Sequence, residues 1–252
     1  MIEIRDLTKT YGKLIAVDNL TLSIPAGEIF GFIGPNGAGK TTTISMMAGL
    51  LAPGSGSVEV YGVDMVKNPR QAKQNIGYIP DRPYIYEKLT AMEFLKFTAD
   101  LFAMTVGMTK DKFIEKASLQ LKKFSLLEWA DELIESFSHG MKQRLIMSAA
   151  LLHDPRVLVV DEPMVGLDPL AIKMVKQMLI DLAADGVTIF MSTHTLQIAE
   201  DICHRIGVIH KGKLIASGTV EELRQQAELR QQTSADNVDL EQLFMLLTEI
   251  PV

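Results

Sequence analysis

Through the first quarter of the chain, short apolar runs alternate with polar positions: Ile2-Glu3-Ile4, Leu20-Thr21-Leu22-Ser23-Ile24 and Val58-Glu59-Val60-Tyr61. Pro25-Ala26-Gly27 and Pro53-Gly54-Ser55-Gly56 punctuate them, so the pattern predicts a mixed β region with tight turns. From Leu89 to about Leu152 the period lengthens to that of a helix. Thr90-Ala91-Met92-Glu93 has the spacing of a capping box, with Leu89 and Phe94 placed as a hydrophobic staple, and Phe94, Leu95, Thr98, Leu101 and Phe102 follow at helical spacing. The pattern predicts a helical subdomain, about residues 84–152, inserted into an α/β domain.

Two uninterrupted apolar runs, Val157-Leu158-Val159-Val160 and Val187-Thr188-Ile189-Phe190-Met191, suit strands buried on both faces of a parallel sheet. Between them Asp168 can cap and Pro169 open a helix that carries Ala171, Met174, Val175, Met178, Leu179 and Leu182 on one face. Strand, helix and strand make a βαβ unit. A hairpin from Ile206 to Ser217 turning at Lys211-Gly212 leads to a second capping box, Thr219-Val220-Glu221-Glu222. A polar stretch from Gln225 to Asn237 then precedes an amphipathic segment with Leu240, Leu243, Phe244 and Leu247. The expected organisation is one large domain over residues 1–230 and a short helical extension over 231–252.

Composition narrows the class. At ~150 residues per domain, 252 residues allow one large domain or two small ones. With 47% hydrophobic and 22% charged residues, disordered, collagen-like and coiled-coil classes are excluded. Twenty-five Lys and Arg against 31 Asp and Glu leave a formal charge of −6, so no nucleic-acid partner is expected. Cys203 is the single cysteine, which leaves no disulfide framework and no cysteine metal site. His204 and His210 also lack ligand-like partners, and the 14 methionines read as core filler. No run reaches the ~18 apolar residues of a membrane span, and Met1 to Asp6 lacks the basic and apolar regions of a signal peptide, so a reduced, intracellular chain is expected.

Gly34-Pro35-Asn36-Gly37-Ala38-Gly39-Lys40-Thr41 fits G-x-x-x-x-G-K-[ST], between the apolar run Ile29 to Ile33 and a helix-like segment ending near Gly49. Glycines there let backbone N–H groups converge on phosphate oxygens, and a helix N-terminus adds its positive dipole end. Lys40 is placed to reach the β- and γ-phosphates and the Thr41 hydroxyl to ligate Mg²⁺. Asp161 follows a buried run and emerges at the strand edge where open α/β sheets bind ligands, suitably for Mg²⁺. Glu162 next to it could polarise an attacking water, with general base and passive orienter both open.

Read together and in order, these segments resemble the nucleotide-binding subunit of ATP-binding cassette transporters. The phosphate loop corresponds to Walker A and Asp161-Glu162-Pro163 to the end of Walker B. Phe137-Ser138-His139-Gly140-Met141 stands at the signature position, Gly166-Leu167-Asp168-Pro169 at the D-loop, and Ser192-Thr193-His194 at the switch histidine. The resemblance implies a P-loop NTPase fold of ABC type with a mixed, mainly parallel sheet core, an antiparallel β subdomain and the inserted helical subdomain. It implies ATP and Mg²⁺ as ligands, Tyr11 stacking on adenine, Thr42 joining the phosphate loop in nucleotide binding, and Glu162 and His194 as catalytic residues. Ser138 and Gly140, at the start of a helix from Met141 to Leu152, are implied to face the nucleotide of an opposing cassette. Two departures stand out. The family's favoured Leu-Ser-Gly-Gly-Gln is altered at Phe137, His139 and Met141, and Asp81 occupies the place of the Q-loop glutamine, where it is implied to ligate Mg²⁺ directly or through water.

The implied partners are a second cassette, identical or related, and an integral membrane permease, which would hold the chain at the cytoplasmic face of the membrane. Met141-Lys142-Gln143-Arg144 and Val238 to Phe244 resemble exporter-type cassettes. Three alternatives remain at this level: an importer cassette, whose relatives more often keep the Q-loop glutamine that Asp81 replaces, a non-transport cassette ATPase such as a cell-division switch, and a P-loop kinase or GTPase, which would leave the signature segment and His194 without a role.

Overall fold

Fully buried strands organise the molecule. In the computed structural model, which describes residues 1–82, 84–102, 104, 107–231 and 244–245, ten strands form two sheets. Strands β1 (Ile2–Tyr11), β2 (Leu14–Ile24), β4 (Ser55–Val60) and β5 (Val63–Asp64) make an antiparallel sheet in the order β2-β1-β4-β5. The second sheet contains β3 (Ile29–Ile33), β6 (Ile76–Ile79), β7 (Val157–Asp161), β8 (Thr188–Thr193), β9 (Arg205–His210) and β10 (Lys213–Gly218). Its order is β10-β9-β3-β8-β7-β6, parallel throughout except for the β9–β10 hairpin. Every residue of β3, β7 and β8 is buried, which is why their sequences run apolar without alternation. Phe190 on β8 lies 5.9 Å from Phe30 and 5.2 Å from Phe32, joining the two strands that flank the phosphate loop through aromatic contact. Burial of each such ring contributes on the order of 1.5–3 kcal/mol.

The strand expectations hold in kind and change in extent. β2 starts at Leu14 rather than Leu20, because pairing of Tyr11 with Leu14 and Lys9 with Val17 carries the ladder back through a stretch whose first residues, Leu14 and Ile15, are exposed. Tyr61 lies outside β4, in a left-handed turn at φ 49°, and Val187 precedes β8, its N–H donated to Leu182.

Helix α1 (Lys40–Met47) follows the phosphate loop, and α2 (Pro69–Lys73) precedes β6. The inserted region is helical as expected, with α3 (Ala91–Leu101), α4 (Lys110–Lys123), two 3-10 turns and α5 (His139–Ala150). Both halves of the Thr90 capping box are present, at 3.2 and 2.9 Å. Leu101 does not join the buried face: it is 71% exposed, and Ala91, Phe94, Leu95 and Ala99 are the buried residues of α3. The helix expected from Met141 to Leu152 runs two residues earlier at both ends, because the Ser138 hydroxyl caps it by accepting the Met141 N–H. Helix α6 (Pro169–Ala184) is capped by Asp168, which accepts the Ala171 N–H at 2.9 Å, and buries Ala171, Val175 and Leu179 against the sheet. One apolar cluster runs from Phe94, Phe113 and Phe124 through Leu145 to Val160 and Met191, so the helical insertion shares its core with one face of the parallel sheet.

Helix α7 (Leu196–Ile202) follows β8, and α8 (Val220–Gln231) starts at the Thr219 capping box, both of whose hydrogen bonds form. The polar stretch expected from Gln225 therefore begins inside a helix. The C-terminal segment with Leu240, Leu243 and Leu247 lies outside the described residues; Phe244, within them, packs on the cluster around Ile33 and Leu223.

Candidate functional site

The chain leaves β3 at Ile33 and wraps Gly34 to Gly39 into α1. A Cβ on Gly34 would run into the Ile209 carbonyl, and one on Gly39, whose φ is +113°, into the Ala16 carbonyl, so both positions are restricted to glycine. Ala38 donates its N–H to Pro35 at 3.1 Å, closing the loop on itself. Lys40, the first residue of α1, is buried and points back into the loop, donating to the Gly34 carbonyl at 2.6 Å and the Pro35 carbonyl at 3.2 Å. Burial lowers the pKa of its ammonium, while Glu162 and Asp161 pull it upward.

This loop forms one wall of a cleft of about 660 Å³, at the carboxyl ends of the strands, where open α/β sheets bind their ligands. Asn36, Gly37, Gly39, Lys40, Thr41 and Thr42 line it, and Gly34, Pro35 and Ala38 complete the loop behind them. Asp161 ends β7 and Glu162 follows it, His194 comes from the segment after β8, and Asp81 from the turn after β6. Tyr11 ends β1 at the rim, 50% exposed. These residues, scattered over nearly two hundred positions, are thereby brought together.

Asp161 is buried and accepts a hydrogen bond from the Ser192 hydroxyl. Glu162 adopts a left-handed φ of 50°, a conformation costing on the order of 1–3 kcal/mol that re-aims the chain at the strand end. Its Oε1 lies 2.9 Å from His194 Nδ1, and its Oε2 accepts the His194 backbone N–H at 3.3 Å. With Nδ1–H given to Glu162, a neutral His194 presents Nε2 only as an acceptor; donation to a phosphate oxygen requires the imidazolium or release of that contact. Burial, and then the charges of Asp161 and Asp81, push the Tyr78 hydroxyl up to about 12, a sign that both carboxylates act on one neighbourhood.

Among the described residues no three His, Cys, Asp or Glu side chains converge closely enough to hold an ion by themselves. Thr41 and Asp161 still offer a hydroxyl and a carboxylate in one cleft, which suits Mg²⁺, a cation bound by one or two protein oxygens together with phosphates and water.

Ser138 and Gly140 are not among the cleft's lining residues; they sit at the start of α5. There His139 packs on the D-loop, since a Cβ on Gly166 would come within 2.7 Å of the imidazole. Sequence reading missed the wall made by Leu14, Ile15 and Ala16, and also Val165 and Lys211. Leu14, Ile15, Ala16 and Lys211 belong to no motif and are brought in by the β2 and β9–β10 pairings, whereas Val165 sits between the Asp161-Glu162-Pro163 and Gly166-Leu167-Asp168 segments, its N–H donated to the Glu162 carbonyl at 3.3 Å. His204 has a structural part, accepting the Ile29 N–H at 2.9 Å. A larger groove, about 920 Å³, separates α4 from α6, but Pro155, Arg156, Gly186 and Val187 place it at the amino ends of β7 and β8, away from the phosphate loop.

A glycine loop between a buried strand and a helix, a lysine at its centre, and an Asp-Glu pair ending the neighbouring strand define a P-loop nucleoside triphosphatase. Residues 17–165 match the sequence profile of the ABC transporter family, and the chain belongs to that family, as an ATP-hydrolysing subunit. It is 40% identical over 223 residues to the linearmycin resistance ATP-binding protein of Bacillus subtilis, covering 88% of this chain and 70% of that one. It is likewise 40% identical over 225 residues to the bacitracin transport ATP-binding protein of Bacillus licheniformis, covering 89% and 71%. A third relative, the ABC-type transporter ATP-binding protein EcsA of Bacillus subtilis, is 34% identical over 99% of this chain and 97% of its own length. Among solved structures, an ATP-binding subunit of an ABC transporter superposes with a TM-score of 0.87 at 32% identity, covering 98% of this chain and 99% of that one. A dimeric bacterial ABC transporter cassette superposes with a TM-score of 0.80 at 25% identity, covering 87% and 99%. Membership in a transporter family favours coupling to transport over the cell-division switch.

Proposed function

We propose that this chain binds Mg·ATP in the cleft between the phosphate loop and the ends of β7 and β8, and that its hydrolysis drives a separate integral membrane permease. One observation carries the reading: Lys40, Thr41, Asp161, Glu162 and His194 converge on a single cleft. In this reading Thr41 and Asp161 hold the metal, with Asp81 reaching it directly or through water. Gly34 to Thr42 cradle the phosphates, Tyr11 packs on adenine, and Glu162 positions or deprotonates the attacking water while His194 reports on the γ-phosphate. Residues 1–230 make up the ATP-binding domain.

Ser138 and Gly140, absent from the lining of their own chain's cleft, face the nucleotide of a second cassette, where the start of α5 offers backbone N–H groups and a positive dipole end. Closure over two ATP molecules then moves the permease, and hydrolysis reopens the pair. Among the described residues no helix is long and apolar enough to cross a membrane, so the chain reaches the cytoplasmic face of the membrane through that partner. The linearmycin resistance and bacitracin transport proteins among its relatives support an exporter.

The test is to tag the chain, solubilise native membranes gently and identify what accompanies it. A polytopic protein recovered in fixed ratio supports the reading; a reproducible soluble partner with no membrane protein overturns it.

A further inference from the structure

The β9–β10 hairpin turns at Lys211-Gly212, with φ angles of 48° and 83°. Positive φ at both central residues is the two-residue turn that favours Asn-Gly, because asparagine tolerates the left-handed region and lysine does not share that advantage. A turn selected for stability alone would place asparagine at position 211.

The hairpin is fastened to the phosphate loop. Gly212 donates its N–H to the Ala38 carbonyl at 2.9 Å, and its own carbonyl accepts the Asp18 N–H at 2.9 Å. A Cβ on Gly212 would lie 3.1 Å from the Ala16 carbonyl, so the turn rests on the wall formed by β2. Lys211 is thereby held at the cleft, which it lines beside Ala16, Gly39 and Thr42.

The cleft's charges give that position a use. Asp81, Asp161 and Glu162 line it against two lysines, Lys40 and Lys211. Lys40 already donates to Gly34 and Pro35 and feels both Asp161 and Glu162. Lys211 forms no ion pair with any described residue, so its charge is free to meet an incoming polyanion.

We propose that Lys211 is a second nucleotide-binding lysine, whose ammonium pairs with the phosphates of the bound nucleotide from the β9–β10 hairpin. The inference rests on the ATP-binding reading of the cleft. A charge-assisted contact at a solvent-accessible rim alters affinity by about three- to tenfold.

The experiment measures dissociation constants for ATP and AMP with the purified chain, by displacement of a fluorescent nucleotide at low and high salt. Lys211→Asn suits the turn and should melt at or above the parent temperature; Lys211→Gly is a second backbone-compatible variant. Both should weaken ATP about three- to tenfold, flatten its salt dependence and affect AMP less, while Lys211→Arg stays near the parent. ATP affinity unchanged in folded Lys211→Asn and Lys211→Gly overturns the proposal, and so does an equal loss in Lys211→Arg, which would point to shape rather than charge. Lys40→Ala is the control. If it loses ATP while the Lys211 variants do not, only this inference fails; if it too binds normally, the ATP-binding reading fails with it.

Discussion

Lys40 gives two of its three N–H donors to the carbonyls of its own loop. The third is left for a phosphate, whose negative charge would relieve the depressed basicity caused by burial. Lys40→Ala is expected to weaken ATP binding about 10- to 100-fold, the worth of a charged hydrogen bond lost from a buried site, as read by titration calorimetry. Cys203 shows the opposite case, a residue with no part in the chemistry. Although part of the residue is exposed, burial pushes its thiol up to about 12, and it faces Gly31. At pH 8 it should be alkylated far more slowly by iodoacetamide than in denaturant, because the thiolate is the reactive form; comparable rates in both states would contradict that burial. At this scale sequence is legible where chemistry is contiguous. Lys40, Thr41, Asp161 and Glu162 follow from motifs, whereas the Ser192 hydroxyl on Asp161 depends on the register that sets Asp161 opposite Ser192, which the βαβ pattern leaves open.

Caps govern the elements. Thr90 and Glu93 satisfy each other's backbone N–H groups at the start of α3, and Ser138 does half as much for α5. Thr90→Ala should cost about 1 kcal/mol and lower the melting temperature by about 2–4 °C without altering ATP affinity, since α3 contributes nothing to the cleft lining. A loss of nucleotide binding in a folded Thr90→Ala chain would show coupling that the static contacts do not explain. The capped helices and uninterrupted strands are legible because capping and full burial leave local signals. The early start of β2 is not, because its first half, with apolar Leu14 and Ile15 exposed, is held by pairing with β1 rather than by its own alternation. Leu101 misleads for a related reason: helical spacing marks a face, but Ala91, Phe94, Leu95 and Ala99 do the packing of α3 and Leu101 is left at its end, in solvent.

At the scale of the molecule, the cleft is assembled from both sheets. β1 and β2 supply Tyr11 and the wall at Ile15 and Ala16, the parallel sheet supplies Asp161 and Glu162, and the β9–β10 hairpin ties the two through Ala38 and Asp18. The helical insertion shares a core with the parallel sheet, so a displacement at the Asp81 turn or at the contact of His139 with Gly166 has a packed route into it. The family was legible in the order of the motifs. The packing of His139 against Gly166 was not, because it joins the start of α5 to a loop that follows β7 and leaves no local signal in either segment.

The most direct measurement is light scattering and phosphate release from purified Glu162→Gln in Mg·ATP. The contact of Glu162 with His194 and its place beside Asp161 predict a variant that still binds ATP, turns it over at least about 100-fold more slowly than the parent, and shifts from monomer to dimer. Turnover near the parent rate, or a monomer under saturating ATP, would contradict the assignment of Glu162 and the two-chain site built on it.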